Sequence, residues 1–253
     1  MKKIYIRGGA KEESGVKVMQ THLEEYGHKV VRSKQEDYDC ILCWGCSTRD
    51  AYVKNVPALN ANVNIFNKFE AMLLFDEAGL KIPKLISPAV ALMSHKLFEL
   101  SKPWFARNFH HEKGLDIELC EKFSQVQTIV EEGKKEFFSV YVPHTMELRL
   151  WVYKEKVFAA YEKKYKNPSV MNFKTMEYRS EKRDDLLMMS QMCFQAVKAV
   201  KTLKMDFGAV DVLVHPTNGT YILEVNSMPD ISSLERVSGI RLAKSVHDWA
   251  EAL

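Results

Sequence analysis

The chain has 253 residues, of which 46% are hydrophobic and 27% carry a charge, and this composition is typical of a globular protein with a substantial core. Its 36 basic residues nearly balance 33 acidic ones, so the net charge of +3 argues against a nucleic-acid-binding protein. Apolar runs are too short for a membrane helix, and Arg7 interrupts the apolar start too early for a signal peptide. We therefore expect a cytoplasmic protein without a membrane or nucleic-acid partner.

Strands and helices alternate in the first third of the chain. The pattern predicts a strand at 2–6, an amphipathic helix from Gly15 to Gly27, and strands near 29–32 and 39–44. Such alternation indicates a parallel sheet with crossover helices. Arg7-Gly8-Gly9 follows the first strand, and a tight turn explains these glycines better than a phosphate loop does.

The five cysteines, an odd number in a chain without an export signal, indicate reduced thiols. Cys40, Cys43 and Cys46 have a spacing that also occurs in iron–sulfur and zinc sites. The same segment fits a buried strand that runs into a glycine turn, with Cys40 and Cys43 on opposite faces. The strand is our preferred interpretation, and a metal site is the alternative.

A second helix is predicted from Asn67 to Gly79, because apolar residues recur with helical spacing between a capping residue and a glycine stop. Pro83 then imposes an extended exit. Lys68, at the start of this helix, is expected to be solvated, with a phosphate contact as the alternative.

Residues 103–142 have the pattern of a small α/β unit. Strands at 104–108 and 116–120 flank a polar loop, a helix follows at about 123–131, and a last strand covers 137–142.

The next predicted hairpin, with strands at 147–153 and 157–161, carries charged residues on one face. Alternation along the first strand places Glu147 and Arg149 on the same side. We expect that side to line a cleft, and a surface ion pair is the alternative. Continued alternation along the second strand favours Lys163 over its lysine neighbour as a further cleft residue.

A long helix, predicted at about 184–204, leads into a C-terminal hairpin with a polar turn at 216–219. Glu224 and Asn226 point the same way because side chains alternate along a strand, and Asp211 lies on the partner strand. Carboxylate and amide oxygens suit Mg²⁺ or Mn²⁺, with nucleotide phosphates completing the shell. A solvated acidic face is the alternative.

The segment from Glu224 to Asp230, Glu-Val-Asn-Ser-Met-Pro-Asp, resembles the metal-binding hairpin of the ATP-grasp superfamily. In that superfamily an acidic residue, a glutamate and an asparagine hold the magnesium ions that bridge the ATP phosphates. The chain is most similar to the small carboxylate–amine ligases, such as the ribosomal-protein glutamate ligase and glutathione synthetase. Asp230 stands where the family has a glycine near the acceptor substrate, so the resemblance does not identify the acceptor.

The resemblance implies an α/β architecture, the α+β ATP-grasp fold. A Rossmann-like parallel-sheet domain with a linking helix would occupy residues 1–82, a lid subdomain 83–142, and a subdomain with the metal-binding hairpin 143–253. In the family the lid closes over the triphosphate, which excludes water from the reaction.

Three sets of site residues follow from the resemblance. Arg107 takes the place of a lysine on the first lid strand, and His110 lies in the lid loop in place of glycines, with a plain exposed histidine as the alternative. In the family, the segment that corresponds to Tyr141 and Val142 holds adenine. The alternative is that these two are core residues of the strand. The implied sets are Arg149, Arg107 and Lys163 as catalytic residues, Arg107, His110, Tyr141, Val142, Glu147 and Lys163 at the nucleotide, and Asp211, Glu224 and Asn226 at the metal.

This resemblance implies a ligase that uses ATP with Mg²⁺ or Mn²⁺. A substrate carboxylate would attack the γ-phosphate, and an amine would displace phosphate from the acyl phosphate to leave an amide, ADP and phosphate. The expected partners are small-molecule or peptide carboxylates and amines, and the oligomeric state stays open, with a homodimer among the alternatives. A kinase of the same superfamily and a nucleotide-binding protein without chemistry are the competing hypotheses.

Overall fold

The computed structural model describes residues 1–8, 14–46, 56–62, 67–109, 117–165, 178–182 and 190–253. Within these residues the chain forms one parallel and two antiparallel sheets, with helices packed against them. This mixture agrees with the predicted α/β architecture. None of the helices in the described part of the chain combines the length and the apolar character needed to span a bilayer.

The first sheet is parallel, as the alternating pattern predicts. It consists of β1 (Lys3–Arg7), β2 (Lys29–Val31), β3 (Cys40–Cys43) and β4 (Ala58–Leu59), in the spatial order β2-β1-β3-β4. Helix α1 (Ser14–Glu25) connects β1 to β2 and buries Val16, Met19 and Leu23 in the core. Strand β3 is buried on both faces, which is typical of a strand inside a parallel sheet.

Helix α2 (Lys68–Glu77) begins at the predicted cap, Asn67. The Asn67 side chain accepts a hydrogen bond from the backbone N–H of Glu70 (2.9 Å), and the Glu70 carboxylate accepts one from the N–H of Asn67 (3.2 Å). This reciprocal capping box fixes the first turn of the helix, and with it the position of Lys68.

The second sheet is antiparallel and corresponds to the predicted lid unit. In chain order this unit contains β5 (Leu85–Ile86), α3 (Pro88–Leu92), α4 (His95–Ser101), β6 (Trp104–Arg107), β7 (Glu118–Cys120), α5 (Phe123–Glu131) and β8 (Phe137–Val140), and its strands lie in the order β5-β8-β6-β7. Trp104, Ala106 and Phe138 form a core of their own with the helices. Alternation along β6 therefore turns Phe105 and Arg107 to the opposite face.

The third sheet is also antiparallel. Its part of the chain contains β9 (Met146–Tyr153), β10 (Lys156–Tyr165), β11 (Tyr178–Lys182), α6 (Ser190–Thr202), β12 (Phe207–His215), β13 (Gly219–Asn226), α7 (Ile231–Ser238) and α8 (Leu242–Glu251), with strands in the order β11-β10-β9-β12-β13. Both predicted hairpins are confirmed. Helix α6 is the described part of the helix predicted at about 184–204, since residues 183–189 lie outside the described residues.

The two faces of the third sheet have different neighbours. Leu148, Leu150 and Val152 belong to a core shared with α2 and α6. On the opposite face, Trp151 and Phe207 join the core of the first sheet, to which α7 and α8 also contribute. Arg149 and Asp211 share this second face by alternation, so they lie where the apolar packing between the two sheets ends.

Candidate active site

Neighbouring strands of the third sheet bring charged side chains to one level. Cross-strand pairing sets Asp211 of β12 between Arg149 of β9 and Glu224 of β13. Lys163 of β10 reaches the same carboxylate from the far side of β9. The sheet thus collects residues from four strands into one polar cluster.

Asp211 is the centre of this cluster and is only 3% exposed. The Arg149 guanidinium donates two hydrogen bonds to it, from Nε to Oδ1 (2.6 Å) and from Nη2 to Oδ2 (2.7 Å). Lys163 Nζ donates to Oδ2 of Asp211 (2.8 Å) and to Oε1 of Glu147 (2.8 Å). The four side chains therefore form a compensated network of two cations and two carboxylates, in which bidentate geometry favours a fixed arrangement.

These contacts determine the charge states. Burial alone would raise the pKa of Asp211, but the Arg149 and Lys163 cations outweigh it and hold that pKa well below its usual range. Burial would lower the pKa values of Arg149 and Lys163, and Asp211 raises both above their usual values instead. All three groups are therefore charged at neutral pH.

Glu224 has its own pair of contacts beside this network. Lys68 Nζ lies 2.6 Å from Oε2 of Glu224, and the Asn226 amide donates to Oε1 (3.1 Å). Burial and the Asp211 carboxylate would raise the pKa of Glu224, but Lys68 outweighs them and lowers it. The prediction of a solvated Lys68 is wrong: its side chain is 33% exposed, and the first turn of α2 directs it to the hairpin.

Several oxygen atoms of the three predicted metal residues keep free acceptor sites among the described residues. There Oδ1 of Asp211 accepts one hydrogen bond and each oxygen of Glu224 accepts one contact, whereas a carboxylate oxygen has about two acceptor sites. Oδ2 of Asp211 is filled, because it accepts from both Arg149 and Lys163. Asn226 uses its amide nitrogen as the donor to Glu224, so its oxygen is left for another partner. The structure thus brings all three predicted residues together with acceptor capacity to spare.

Arg107 comes to the site from the lid. It is largely buried, and its Nε has no hydrogen-bond partner among the described residues. Burial lowers the pKa of Arg107, while the Glu224 carboxylate counteracts this effect. A buried guanidinium with an unpaired donor is costly, so this position favours an anionic ligand.

Tyr141 and Val142 follow β8 where the lid meets the third sheet. The Tyr141 N–H donates to the Pro103 carbonyl (3.0 Å), and the Val142 carbonyl contacts Nδ1 of His144 (2.9 Å). The Tyr141 carbonyl and the Val142 N–H belong to one trans peptide and point in opposite directions, so only one of them can face a bound base. Phe105 lies against the Tyr141 ring, with centroids 5.9 Å apart.

Two other predicted positions have different outcomes. His110 and residues 111–114 of the predicted lid loop lie outside the described residues. Asp230 is the N-cap of α7: its carboxylate accepts from the Ser232 N–H (3.1 Å). Sequence reasoning noted this aspartate only as a departure from the family, although an Asp before Ile-Ser-Ser is a typical helix start.

A model of the RimK-like ATP-grasp domain matches residues 66–250 of this chain. A probable alpha-L-glutamate ligase from Haemophilus influenzae is 24% identical over 234 residues, covering 85% of this chain and 76% of the relative. One from Histophilus somni is 25% identical over 246 residues, covering 88% and 80%.

Solved structures resemble the whole chain. The ATP-grasp ligase PsnB in complex with a minimal precursor superimposes with a TM-score of 0.74 at 12% identity, covering 98% of both chains. The D-alanine–D-alanine ligase from Bacillus anthracis gives a TM-score of 0.68 at 15% identity, covering 97% of this chain and 95% of its own. At such identities the likeness establishes the fold, and it confirms the predicted ATP-grasp architecture.

Proposed function

We infer the roles of the site residues from their geometry and from the family, since this chain belongs to the RimK-like ATP-grasp family. The protein is an ATP-dependent ligase that joins a carboxylate to an amine through an acyl phosphate, giving ADP and phosphate. Neither the kinase nor the silent nucleotide-binding protein is favoured by relatives named as glutamate ligases. ATP-grasp ligases use ATP and Mg²⁺, and PsnB also has a structure with Mg and ADP.

In this proposal Asp211, Glu224 and Asn226 hold Mg²⁺. Their hard oxygen donors and their spare acceptor capacity suit this ion, which takes one or two protein carboxylates and completes its shell with phosphate and water. Mg²⁺, when bound, neutralises phosphate charge and polarises the phosphoryl group. Lys68 now occupies one oxygen of Glu224, so the lysine and the metal compete for that carboxylate.

Arg107 and Arg149 bind the phosphate groups in this proposal. Among the described residues, Arg107 supplies a buried cation with an unpaired donor. In the same part of the chain Arg149 uses Nε and Nη2 on Asp211, which leaves Nη1 for another anion. Lys163 adds positive charge on the same level of the sheet. Because Asp211 and Glu147 hold Arg149 and Lys163 in place before substrate arrives, these two cations need little reorganisation when charge develops on the transferred phosphoryl group.

The base would lie beside the peptide that joins Tyr141 and Val142, with Phe105 and Tyr141 offering aromatic surface. His110 remains a proposed contact of the lid loop. We also propose the division into residues 1–82, 83–142 and 143–253, with the nucleotide between the second and third parts.

Among amines, glutamate is the first candidate, because curated relatives are named probable alpha-L-glutamate ligases. For the carboxylate, a peptide is a candidate alongside a small acid, because PsnB was solved with a precursor. We propose that residues 227–230, which directly follow the proposed metal ligands, contact the acceptor.

The observation that carries the proposal is the fixed placement of Asp211 between Arg149 and Glu224. The experiment incubates the protein with Mg-ATP, glutamate and a panel of small and peptide carboxylates, and follows ADP, phosphate and product mass. We expect an amide product with equal amounts of ADP and phosphate. A product heavier by a phosphoryl group would refute ligation. Turnover retained by both Arg149→Met and Glu224→Gln would refute the site.

A further inference from the structure

Cys43 and Cys46 form a thiol pair at the end of β3. Cys40, the third cysteine of the motif, lies in the apolar core of the first sheet. Within the described residues, no metal-binding constellation of His, Cys, Asp or Glu contains any of these cysteines. The iron–sulfur or zinc alternative therefore has no support there, and the two remaining cysteines have a Cys-Xaa-Xaa-Cys spacing.

The local backbone brings the two thiols together. Gly45 has φ +67, a left-handed conformation that turns the chain back after β3. Cys46 Sγ donates to the Arg7 carbonyl (3.3 Å), which also accepts from the Trp44 N–H (2.8 Å), and Arg7 is the cross-strand partner of Cys43. The Cys46 thiol therefore lies beside the end of β3 that carries Cys43. A Cβ at Gly8 would lie 2.2 Å from the Trp44 carbonyl oxygen and 2.7 Å from Cys46 Sγ, so a side chain at that position would collide with the backbone at the end of β3 and crowd the thiol.

The two cysteines have different reactivity. The hydrogen bond from Cys43 lowers the pKa of Cys46 to about 7, and the Arg7 cation contributes, although burial acts in the opposite direction. Donating that hydrogen bond raises the pKa of Cys43, and burial adds to the effect. Burial raises the pKa of Cys40 to about 11 and that of Cys120 to about 12. Cys46 is partly exposed and is therefore the thiol of this pair that a solute can reach as a thiolate.

We propose that Cys43 and Cys46 are an oxidative modification site that converts between dithiol and disulfide with a hydroperoxide as oxidant. The Cys46 sulfur attacks the O–O bond: an S–O bond forms, the O–O bond breaks, and the leaving alkoxide takes a proton. The Cys43 sulfur then attacks the Cys46 sulfenic acid: the S–S bond forms, the S–O bond breaks, and water leaves with the Cys43 proton. The two thiols lose two electrons, and the hydroperoxide becomes an alcohol and water.

Gly45, in the turn between the two cysteines, touches the segment that follows the proposed metal ligands. The Gly45 N–H donates to the Ser227 carbonyl (3.3 Å), and a Cβ at Gly45 would lie 2.9 Å from Met228 Sδ. Drawing Cys46 onto Cys43 changes the turn at Gly45, so the disulfide displaces Ser227 and Met228. We infer that oxidation slows acceptor use and spares nucleotide binding, and this part rests on the proposed function.

Peptide mapping tests the modification without any activity assay. The reduced protein is treated with a small excess of hydrogen peroxide, alkylated and analysed by mass spectrometry. We expect a loss of two hydrogen atoms, protection of Cys43 and Cys46 from alkylation, no backbone fragments between them, and reversal by dithiothreitol. Cys46→Ser abolishes this product, while Cys193→Ser, at a half-buried thiol outside the pair, retains it. Sulfinic acid at Cys46 with Cys43 still reduced, or a disulfide to another cysteine, would overturn the proposal.

A second measurement tests the coupling to the acceptor segment. The oxidised and reduced proteins are compared for Mg-ADP binding and for acceptor-dependent ADP release. We expect binding within about twofold and a rate loss of up to about 100-fold, since an ångström-scale misplacement of a substrate has that effect. Equal rates would refute the coupling and leave the mapped disulfide standing. A reduced protein without turnover on any substrate would instead count against the proposed function.

Discussion

Asp211→Asn removes the charge that two buried cations share. Three hydrogen bonds of 2.6, 2.7 and 2.8 Å converge on this carboxylate, and Glu147 is the other carboxylate of the network. In the variant the hydrogen-bonded network keeps both cations but only one of its two carboxylates, so the positive charge that Asp211 balanced is no longer compensated within it. Removing one partner of a buried ion pair costs about 3–5 kcal/mol, and we expect the free energy of unfolding to fall by this amount.

The cost converts into a change in melting temperature. For a chain of this size, 1 kcal/mol corresponds to about 2–4 °C, so the variant should melt about 6–20 °C below the wild type. Circular dichroism melts at pH 7 without nucleotide measure the difference. The matched control is Asp248→Asn, which breaks the Lys244–Asp248 pair, whose side chains are 55% and 57% exposed.

The control should lose little, because exposed ion pairs contribute about 0–1 kcal/mol. If Asp211→Asn melts within about 2 °C of the control, the compensated buried network does not stabilise this sheet as inferred. If Asp211→Asn lowers the melting temperature and the additional substitution Lys163→Met partly restores it, the uncompensated charge is the cause.

The same variant predicts a pH dependence. The pKa of Asp211 in the folded protein lies below its usual value, so the stability that this carboxylate contributes is complete above about pH 4 and is lost as the pH falls further. The difference in melting temperature between Asp211→Asn and wild type should therefore shrink in acid. A constant difference down to pH 3 would contradict this. Lys68→Met should lower the Mg²⁺ concentration for half-maximal ADP release by about twofold to fivefold, because it removes an ion pair with Glu224 that contributes up to about 1 kcal/mol. Lys81→Met, at a lysine whose side chain contacts the Asn218 carbonyl instead, is the control. A higher Mg²⁺ requirement in Lys68→Met would count against competition. Arg107→Met should raise the KM for ATP by at least about tenfold, as expected when a charged hydrogen bond to phosphate is lost. The melting temperature should not fall. An unchanged KM would exclude the phosphate contact.

Local patterns were sufficient for most of the elements near the site. The capping box at Asn67 and the alternation along β9 and β12 are short-range features, so the sequence alone located α2, both hairpins and the shared face of Glu147 and Arg149. Elements that lack such features were missed. Strand β5 has two residues and helix α3 has five, too few to show a period.

The sequence also did not predict the side-chain contacts that depend on tertiary packing. The pairing of Lys68 with Glu224 requires α2 to lie beside β13, residues more than 150 positions apart in sequence, and no local pattern encodes this distance. The double pairing of Asp211 with Arg149 and Lys163 likewise follows from the strand order β10-β9-β12. Residue types indicated the chemistry here, whereas strand order determined which residues meet.

The separate core of the lid has a consequence for engineering and inheritance. Its apolar cluster contains Trp104 and Phe138, and among the described residues it shares no member with the clusters under the other two sheets. Exchanging residues 85–140 between family members should therefore leave the described part of both remaining cores intact. A donor lid must still match one aromatic seam, where Phe69 of α2 meets Phe109 and Phe137 at centroid distances of 5.4 and 5.1 Å.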